Sequence, residues 1–165
     1  MQRSIEIKAP AVAVHAYVNN LEKWPSWSPW MTMDESIKTT LGDIHQGVGA
    51  SQTWTSISGN GSIEFTDSSV EKGIVYAMSF EGDPTQYKAG VSYESLPGST
   101  LVTWYMSGDM KPIVIGSYFA LIMDSFIGAT FEQGLKNLKA QVEADVPLMQ
   151  AEPEPEMQTI IEPDA

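Results

Sequence analysis

Residues 101–144 read LVTWYMSGDMKPIVIGSYFALIMDSFIGATFEQGLKNLKAQVEA, and this stretch decides the fold. Over its first ten residues, Val102, Trp104 and Met106 fall on one face of a predicted β-strand and Leu101, Thr103 and Tyr105 on the other. From about residue 114 to 144, apolar side chains recur at helical spacing, which predicts an amphipathic helix of roughly six turns or more. The stripe on this helix comprises Phe119, Ile122, Met123, Phe126, Ile127, Phe131, Leu135, Leu138 and Val142.

Short strands separated by turn signals precede this helix, from about residue 49 to 110. Gly59-Asn60-Gly61 is a strong hairpin signal, because glycine and asparagine tolerate positive φ. One helix across one antiparallel sheet is a shape that encloses a cavity, so the order of elements already bears on function. On one face, the predicted strands carry Trp54; Ile63 and Phe65; Ile74, Tyr76, Met78 and Phe80; Tyr87, Ala89, Val91 and Tyr93; and Val102, Trp104 and Met106.

The first 41 residues predict a strand, a helix and an unusual tryptophan-rich segment. Residues 4–8 alternate as a strand, and Pro10 then opens a helix over residues 11–21, since proline is tolerated in the first turn. Residues 24–30 contain three tryptophans and two prolines, which suit neither a regular helix nor a strand. We interpret this segment as irregular or as a single helical turn over an apolar opening. Residues 36–41 predict a short strand.

Composition indicates one folded domain followed by a short tail. The chain has 165 residues, 42% hydrophobic and 18% charged, which suits a single domain with a sizeable core. We assign residues 1–146 to this domain. Residues 147–165 form an acidic tail rich in proline and glutamate, expected to be disordered or loosely docked.

Charge and cysteine content exclude several classes of partner. The net charge is −12 and Arg3 is the only arginine, whereas nucleic-acid binding needs clustered basic residues. No stretch approaches the length of uncharged apolar sequence that spans a bilayer, so we expect no membrane insertion. The absence of cysteine excludes disulfides and zinc–thiolate sites, and the expected location is cytoplasmic.

Six segments carry a resemblance to a known family: 5–10, 16–20, 24–30, 47–50 with Trp54, 102–108 and 131–139. Together they resemble the START/Bet v 1-like superfamily, in its SRPBCC branch of polyketide cyclase/dehydrase type. The resemblance covers about residues 3–144. It implies a helix-grip α+β fold, in which a curved antiparallel sheet wraps round a long C-terminal helix. Such proteins bind lipids, sterols, polyketides or plant hormones between sheet and helix, and only some are catalysts.

The residues that common catalytic and metal sites require are sparse. His15 and His45 are the only histidines, and we interpret the first as structural or surface and the second as solvated. The chain has no Gly-x-Ser-x-Gly nucleophile motif. The glycines at 47 and 49 lack the ending of a phosphate loop and precede a strand. No ligand spacing for a metal is present, so we expect neither a metal nor a cofactor.

The alternative hypothesis is that the protein is an enzyme. Asp109 and Asp124 lie where a carboxylate could enter an apolar cavity, which would raise its pKa and suit it to acid–base chemistry. We favour the interpretation that both face solvent or cap the backbone. Glu64 alternates outward and is expected on the surface. Glu81 or a tyrosine hydroxyl could also serve a cyclase, dehydratase or hydrolase acting on a polyketide-like or ester substrate.

The favoured hypothesis is binding of a small hydrophobic molecule or lipid, for transport or sensing, in the cavity between sheet and helix. Aromatic and methionine side chains would line this cavity, since methionine adapts well to irregular ligands. Residues 24–30 would form its rim. A third hypothesis is a regulatory module that self-associates as a homo-oligomer or uses its tail to bind a partner. The predicted lining residues are Trp30, Trp54, Tyr76, Met78, Tyr87, Trp104, Met106, Phe119 and Met123.

Overall fold

A computed structural model describes residues 1–107 and 117–150, with side chains for 127–147 in the second segment. Within these residues, seven strands form one antiparallel sheet in the order β1-β7-β6-β5-β4-β3-β2. The strands are β1 (Gln2–Ile7), β2 (Lys38–Leu41), β3 (Ser51–Thr55), β4 (Gly61–Ser69), β5 (Gly73–Phe80), β6 (Gln86–Leu96) and β7 (Ser99–Ser107). The helices are α1 (Ala11–Val18), a 3₁₀ helix (Leu21–Ser26), α2 (Trp30–Met33) and α3 (Ser117–Gln150).

The long helix α3 runs beside β1, the first strand of the sheet. Lys139 donates to the backbone carbonyl of Glu6 at 2.7 Å, and Glu143 accepts from the backbone N–H of Lys8 at 2.8 Å. Strand β1 itself pairs with β7 over six residues, from Gln2 opposite Tyr105 to Ile7 opposite Thr100. The predicted helix-grip architecture, a sheet closed against one long C-terminal helix, is therefore confirmed.

Strand alternation directs the large apolar side chains to the face that α3 covers. Along β5, Ile74 and Tyr76 are buried, and along β7 Val102 and Trp104 are fully buried. A strand turns successive side chains to opposite faces, so this burial follows directly from the two-residue period. The face that alternation predicts is the face that is buried.

The helical stripe on α3 supplies the other half of the core. Phe131, Leu135, Leu138 and Val142 are at most 1% exposed and recur every three or four residues. Positions so spaced lie on one side of an α-helix, and here that side meets the sheet. The ring of Phe131 stacks on Trp104 with centroids 4.4 Å apart and planes 7° from parallel.

Two predicted helix boundaries differ from those observed. The first helix ends at Val18 because Asn20 caps a new 3₁₀ helix, its side-chain oxygen accepting from the backbone N–H of Glu22 at 2.9 Å. The long helix continues through Pro147 to Gln150. An interior proline removes one helical hydrogen bond and usually kinks or breaks a helix, but α3 continues for three residues beyond Pro147. Residues 147–150 of the predicted tail 147–165 therefore belong to α3. The remainder, residues 151–165, lies outside the described residues, and its assignment to a tail stays a prediction.

No helix in the described part of the chain is both long and apolar enough to cross a membrane.

The close approach of α3 to Trp104 predicts an unusual effect of a glycine substitution. An added methyl group on Gly134 would lie 2.6 Å from a ring carbon of Trp104 and 3.0 Å from the ring of Pro29. We therefore expect Gly134→Ala to lower the free energy of unfolding by about 1–3 kcal/mol. Alanine would otherwise favour the helix by about 1 kcal/mol over glycine. Equilibrium unfolding in urea measures the difference.

Gly128 on the same helix provides the matched control. An added methyl group there would meet the guanidinium group of Arg3, the mobile end of a flexible side chain. The ion pair between Arg3 and Glu132 is partly exposed, so its displacement costs little. We expect Gly128→Ala to remain within about 1 kcal/mol of the wild type. Equal losses in the two variants would contradict the contact between Gly134 and Trp104.

Candidate functional site

A cavity of about 680 Å³ lies between the sheet and α3. Strands β2 to β7 form one wall, and α3 contributes Ile127 and Phe131 opposite them. The 3₁₀ helix, α2 and the residues that follow them form the remaining side. Among the described residues, the wall comprises Trp24, Pro25, Ser28, Trp30, Met31, Met33, Asp34, Ile37, Thr39, Gln52, Trp54, Ser56, Ser58, Gly59, Ile63, Tyr76, Met78, Phe80, Tyr87, Met106, Ile127 and Phe131.

Three aromatic rings form a continuous row along one side of the cavity. Trp54 meets Phe80 edge to face at 5.7 Å, and Phe80 meets Tyr87 in the same manner at 5.7 Å. Phe80 is 41% exposed, which places this row at the opening of the cavity to solvent. The Tyr87 hydroxyl donates to Asp83 at 2.7 Å, and this hydrogen bond raises the pKa of Tyr87. We call Trp54, Phe80 and Tyr87 the aromatic row.

Tyr76 places a hydroxyl group in the interior of the wall. Its oxygen accepts a hydrogen bond from the Trp104 indole N–H at 3.0 Å, and burial raises the pKa of Tyr76 well above its ordinary value. The hydroxyl therefore keeps its proton. Among the described residues no side chain or carbonyl accepts that proton, so the group is free to donate to a bound molecule.

Asp34 is the acidic residue in the described wall. One carboxylate oxygen accepts from the Ser36 backbone N–H at 2.9 Å and from the Ser36 hydroxyl at 2.5 Å. The other accepts from the Ser58 hydroxyl at 3.3 Å, which joins the end of α2 to the β3–β4 hairpin. The hydrogen bonds from Ser36 hold the pKa of Asp34 below its ordinary value. Asp34 is therefore ionised near neutral pH and is a weak base.

The structure brings six of the nine predicted lining residues together around this cavity. Residues 24–30, predicted to be irregular or a single helical turn, comprise the end of the 3₁₀ helix, a short connection and the first residue of α2, and they contribute part of the wall. The side chains of Phe119 and Met123 lie outside the described residues. Whether any of these residues contacts a ligand stays a prediction. The six are Trp30, Trp54, Tyr76, Met78, Tyr87 and Met106.

For Trp104 the structure differs from the prediction that it lines the cavity. The side chain is fully buried between Phe131, which stacks on it, and Trp27, which meets it edge to face at 5.2 Å. Because α3 crosses the sheet directly above it, Trp104 belongs to the core beside the cavity. Its indole acts on the wall only through the hydrogen bond to Tyr76.

Several polar residues of the wall carried no clear sequence signal. Gln52 and Trp54 are two residues apart on β3 and lie on the same face. This shared face could have indicated that Gln52 lines the cavity. Asp34 and Ser58 are far apart in sequence and meet only because the hairpin folds back onto the end of α2. Such a contact depends on tertiary structure and cannot be read from local periodicity.

The groups proposed for acid–base chemistry are only partly described. Asp109 and the side chain of Asp124 lie outside the described residues. Glu81 is exposed and accepts from the Asn60 side chain at 2.5 Å, and Glu64 is exposed on the outer face of the sheet, as alternation predicts. Within residues 1–107 and 127–147, no three histidine or carboxylate side chains are grouped to hold a metal ion.

The two histidines occupy different environments. His45 lies partly exposed and pairs with Glu22 at 2.9 Å. His15 is 8% exposed, with Nδ1 3.1 Å from the Tyr93 hydroxyl and Nε2 3.4 Å from the Ser68 hydroxyl. Burial lowers the pKa of His15 below its ordinary value of 6.5. This environment suits a neutral structural histidine.

The lowered pKa of His15 predicts a loss of stability in mild acid. Above pH 6.5 the ring is neutral in both the folded and unfolded chains. As the pH falls below 6.5, the unfolded chain takes up a proton first, so stability is lost towards the lower folded pKa. We expect His15→Asn to flatten the decline in free energy of unfolding between about pH 7 and pH 5.5. His45→Asn serves as the control, and an unchanged slope in His15→Asn would contradict the assignment.

The fold is shared with solved structures of low sequence identity. TTHA0849 from Thermus thermophilus has a TM-score of 0.61 at 13% identity, over 87% of this chain and 97% of that chain. The Aha1 dimer from Colwellia psychrerythraea gives 0.58 at 15%, over 87% and 95%. Ara h 8.0201, a Bet v 1 homologue, gives 0.53 at 11%, over 87% and 97%. At these identities the likeness shows the fold alone. No curated protein matches the chain in sequence.

A sheet closed over one long helix, with a cavity between them, defines the helix-grip, Bet v 1-like class of fold. The profile of one family, polyketide cyclase / dehydrase and lipid transport, matches residues 1–143. The chain belongs to this family, and the resemblance drawn from its sequence is confirmed. Family and neighbours support a fold that binds hydrophobic ligands, and they do not select a specific function.

Proposed function

We propose that this protein binds a small hydrophobic molecule or lipid in the cavity between the sheet and α3. The observation that carries the proposal is the cavity itself, about 680 Å³ with a wall made mainly of aromatic, aliphatic and methionine side chains. Ligand sites are typically concave, largely apolar and roughly 300–1,000 Å³ in volume. The cavity meets each of these criteria.

Affinity would come chiefly from removing apolar ligand surface from water. Each square ångström of apolar surface buried contributes about 25 cal/mol. Ordering the ligand and nearby side chains opposes this gain, so dissociation constants in the micromolar range are about what a cavity of this kind supports. The Tyr76 hydroxyl would orient a ligand that carries a hydrogen-bond acceptor.

Binding is favoured over catalysis by the chemistry of the described wall. The carboxylate of Asp34 is stabilised in its ionised form, which makes it a poor general acid and a weak base. Burial keeps Tyr76 protonated. Glu81 is exposed and outside the described wall. The enzyme hypothesis therefore rests on Asp109, Asp124 and a tyrosine hydroxyl acting as proton donor, and it stays a prediction. The name of the family includes both lipid transport and catalysis, so it does not decide between them.

Titration with the neutral dye Nile red tests the proposal. The protein is first unfolded, extracted with solvent and refolded, so that no molecule retained from the host occupies the cavity. We expect a saturable, one-to-one rise in fluorescence with a dissociation constant of about 0.1–10 μM. A signal that rises linearly without saturation would contradict a defined site.

Two further expectations from the sequence accompany this proposal. Self-association stays a prediction, and the dimer seen for Aha1 is a property of that protein. Light scattering of the full chain would test it directly. A cytoplasmic location, expected from a sequence without cysteine, likewise stays a prediction.

A further inference from the structure

One acidic side chain belongs to the described wall of the cavity, and two more adjoin residues of that wall. Asp34 lies in the wall, and its carboxylate is joined to Ser58 in the β3–β4 hairpin. The same hairpin contacts Glu81, which accepts from the side chain of Asn60 and donates its backbone N–H to the Asn60 carbonyl at 2.9 Å. Asp83, two residues further, accepts from Tyr87 of the aromatic row. Of these three carboxylates, which we call the acidic rim, Asp34 alone belongs to the described wall. Glu81 follows the wall residue Phe80 in sequence, and Asp83 is hydrogen-bonded to the wall residue Tyr87.

No lysine, arginine or histidine balances the acidic rim within the described wall. Lys38 and Lys88 belong to strands that line the cavity, but both are exposed and alternate with the wall residues Thr39 and Tyr87. Successive side chains of a strand point to opposite faces, so both ammonium groups lie on the outer face of the sheet. A ligand at the opening therefore meets negative charge.

The aromatic row adds a second preference for positive charge. Trp54, Phe80 and Tyr87 meet edge to face, and each contributes to the wall. The faces of aromatic rings carry negative partial charge and attract ammonium groups, most strongly when water is excluded. The row offers a carboxylate only two hydrogen-bond donors, the Trp54 N–H and the Tyr87 hydroxyl, and that hydroxyl already donates to Asp83. The row thus favours a cation over an anion of the same shape.

Asp34 has room to accept one more hydrogen bond. One of its oxygens already accepts two short hydrogen bonds from Ser36. The other accepts a single, long one at 3.3 Å from Ser58. A carboxylate oxygen has two lone pairs, so this second oxygen can take a further donor from a ligand.

We propose that the cavity selects hydrophobic molecules that carry a protonated amine over otherwise identical molecules that carry a carboxylate. The apolar chain lies between the sheet and α3, and the ammonium group lies at the opening between Asp34 and the aromatic row. This inference rests on the proposed function, since it names the class of molecule that the same cavity takes.

Three matched ligands test the inference on the unmodified protein. Dodecylamine, dodecanol and dodecanoate share one alkyl chain and differ only in the head group, which is positive, neutral or negative near pH 7. Each is added below its micellar concentration to displace bound Nile red. We expect dodecylamine to bind about fivefold more tightly than dodecanol, and dodecanoate about fivefold less tightly, as for one partly exposed ion pair.

Two aspartate variants test whether Asp34 causes the preference for the protonated amine. Asp34→Asn should abolish most of the preference for dodecylamine, measured as the ratio of the dissociation constants for dodecanol and dodecylamine in the same variant. Asp67→Asn is the matched control, because it removes the same charge from an exposed carboxylate at the β4 irregularity, away from the acidic rim. It should leave the order of the three ligands intact.

The outcomes separate the inference from the proposed function. If dodecanol displaces the dye and dodecanoate binds as tightly as dodecylamine, the charge preference is overturned and hydrophobic binding stands. If none of the three ligands displaces the dye, binding in the cavity is itself overturned. Loss of the amine preference in Asp67→Asn as well as Asp34→Asn would show that net charge, and not the opening, sets the order.

Discussion

Replacement of Trp104 by alanine is expected to lower the free energy of unfolding by about 3–5 kcal/mol. The side chain is fully buried, stacks on Phe131 at 4.4 Å and meets Trp27 at 5.2 Å. It also donates its indole N–H to Tyr76, whose hydroxyl would lose this partner. Small proteins have a total stability of about 5–15 kcal/mol, so the loss is a large share of it. Chemical denaturation followed by circular dichroism measures it.

Trp54→Ala is the control for this prediction. Both residues are tryptophans on the inner face of the sheet, but Trp54 is only partly buried and borders the cavity. Removing a ring that already borders open space leaves little new void. We expect a loss of about 1–2 kcal/mol for Trp54→Ala. Similar losses for the two tryptophans would contradict the assignment of Trp104 to the core.

Filling the cavity is expected to abolish hydrophobic binding while the fold survives. Met78 and Met106 lie on β5 and β7, and both are partly exposed to the cavity. The double variant Met78→Trp, Met106→Trp places two large rings in the space that a ligand would occupy. Because both side chains border open space, the cost should stay below the figure of about 1–3 kcal/mol per residue for overpacking a filled core. The affinity for Nile red should fall at least about tenfold.

Ala77→Trp controls for the addition of a tryptophan. Ala77 adjoins Met78 on β5 but pairs in register with the exposed Glu64 and Lys88 on the outer face. We expect it to bind Nile red as the wild type does. Circular dichroism and thermal unfolding establish that each variant is folded. Unchanged affinity in a folded double variant would place the dye outside the cavity.

Periodicity in the sequence predicted the elements whose burial repeats regularly. Alternation along β5 identified Ile74 and Tyr76 as inward-facing, and helical spacing identified Phe131 and Leu135 as core residues. Both periods follow from backbone geometry, which is the same in every protein. The sheet, the long helix and the surfaces that face each other can therefore be predicted from the sequence.

The sequence does not predict which inward-facing residues belong to the core and which line the cavity. Trp104 and Met106 are two residues apart on one face of β7, and alternation treats them alike. Trp104 lies beneath Phe131 and is fully buried, whereas Met106 borders the cavity. The difference depends on where α3 crosses the sheet. No local pattern encodes that position.

The acidic rim could not be predicted from the sequence, for a related reason. Asp34 follows α2 and appears in the sequence as one ordinary polar residue after a short helix. Its position in the wall comes from contacts with Ser36, close in sequence, and with Ser58 in a distant hairpin. Glu81, a candidate for acid–base chemistry in the sequence, is exposed beside Asn60 and lies outside the described wall. Charges at an opening become visible only when the chain is folded.

The most direct test of binding between sheet and helix is methyl NMR with dodecanol as ligand. The protein carries ¹³C-labelled methyl groups on methionine and isoleucine. We predict saturable shifts for Met78, Met106 and Ile63, which line the cavity, and none for Ile7, which is fully buried in the core. Shifts confined to exposed residues such as Ile44, with the cavity methyl groups unchanged, would contradict the proposed binding site.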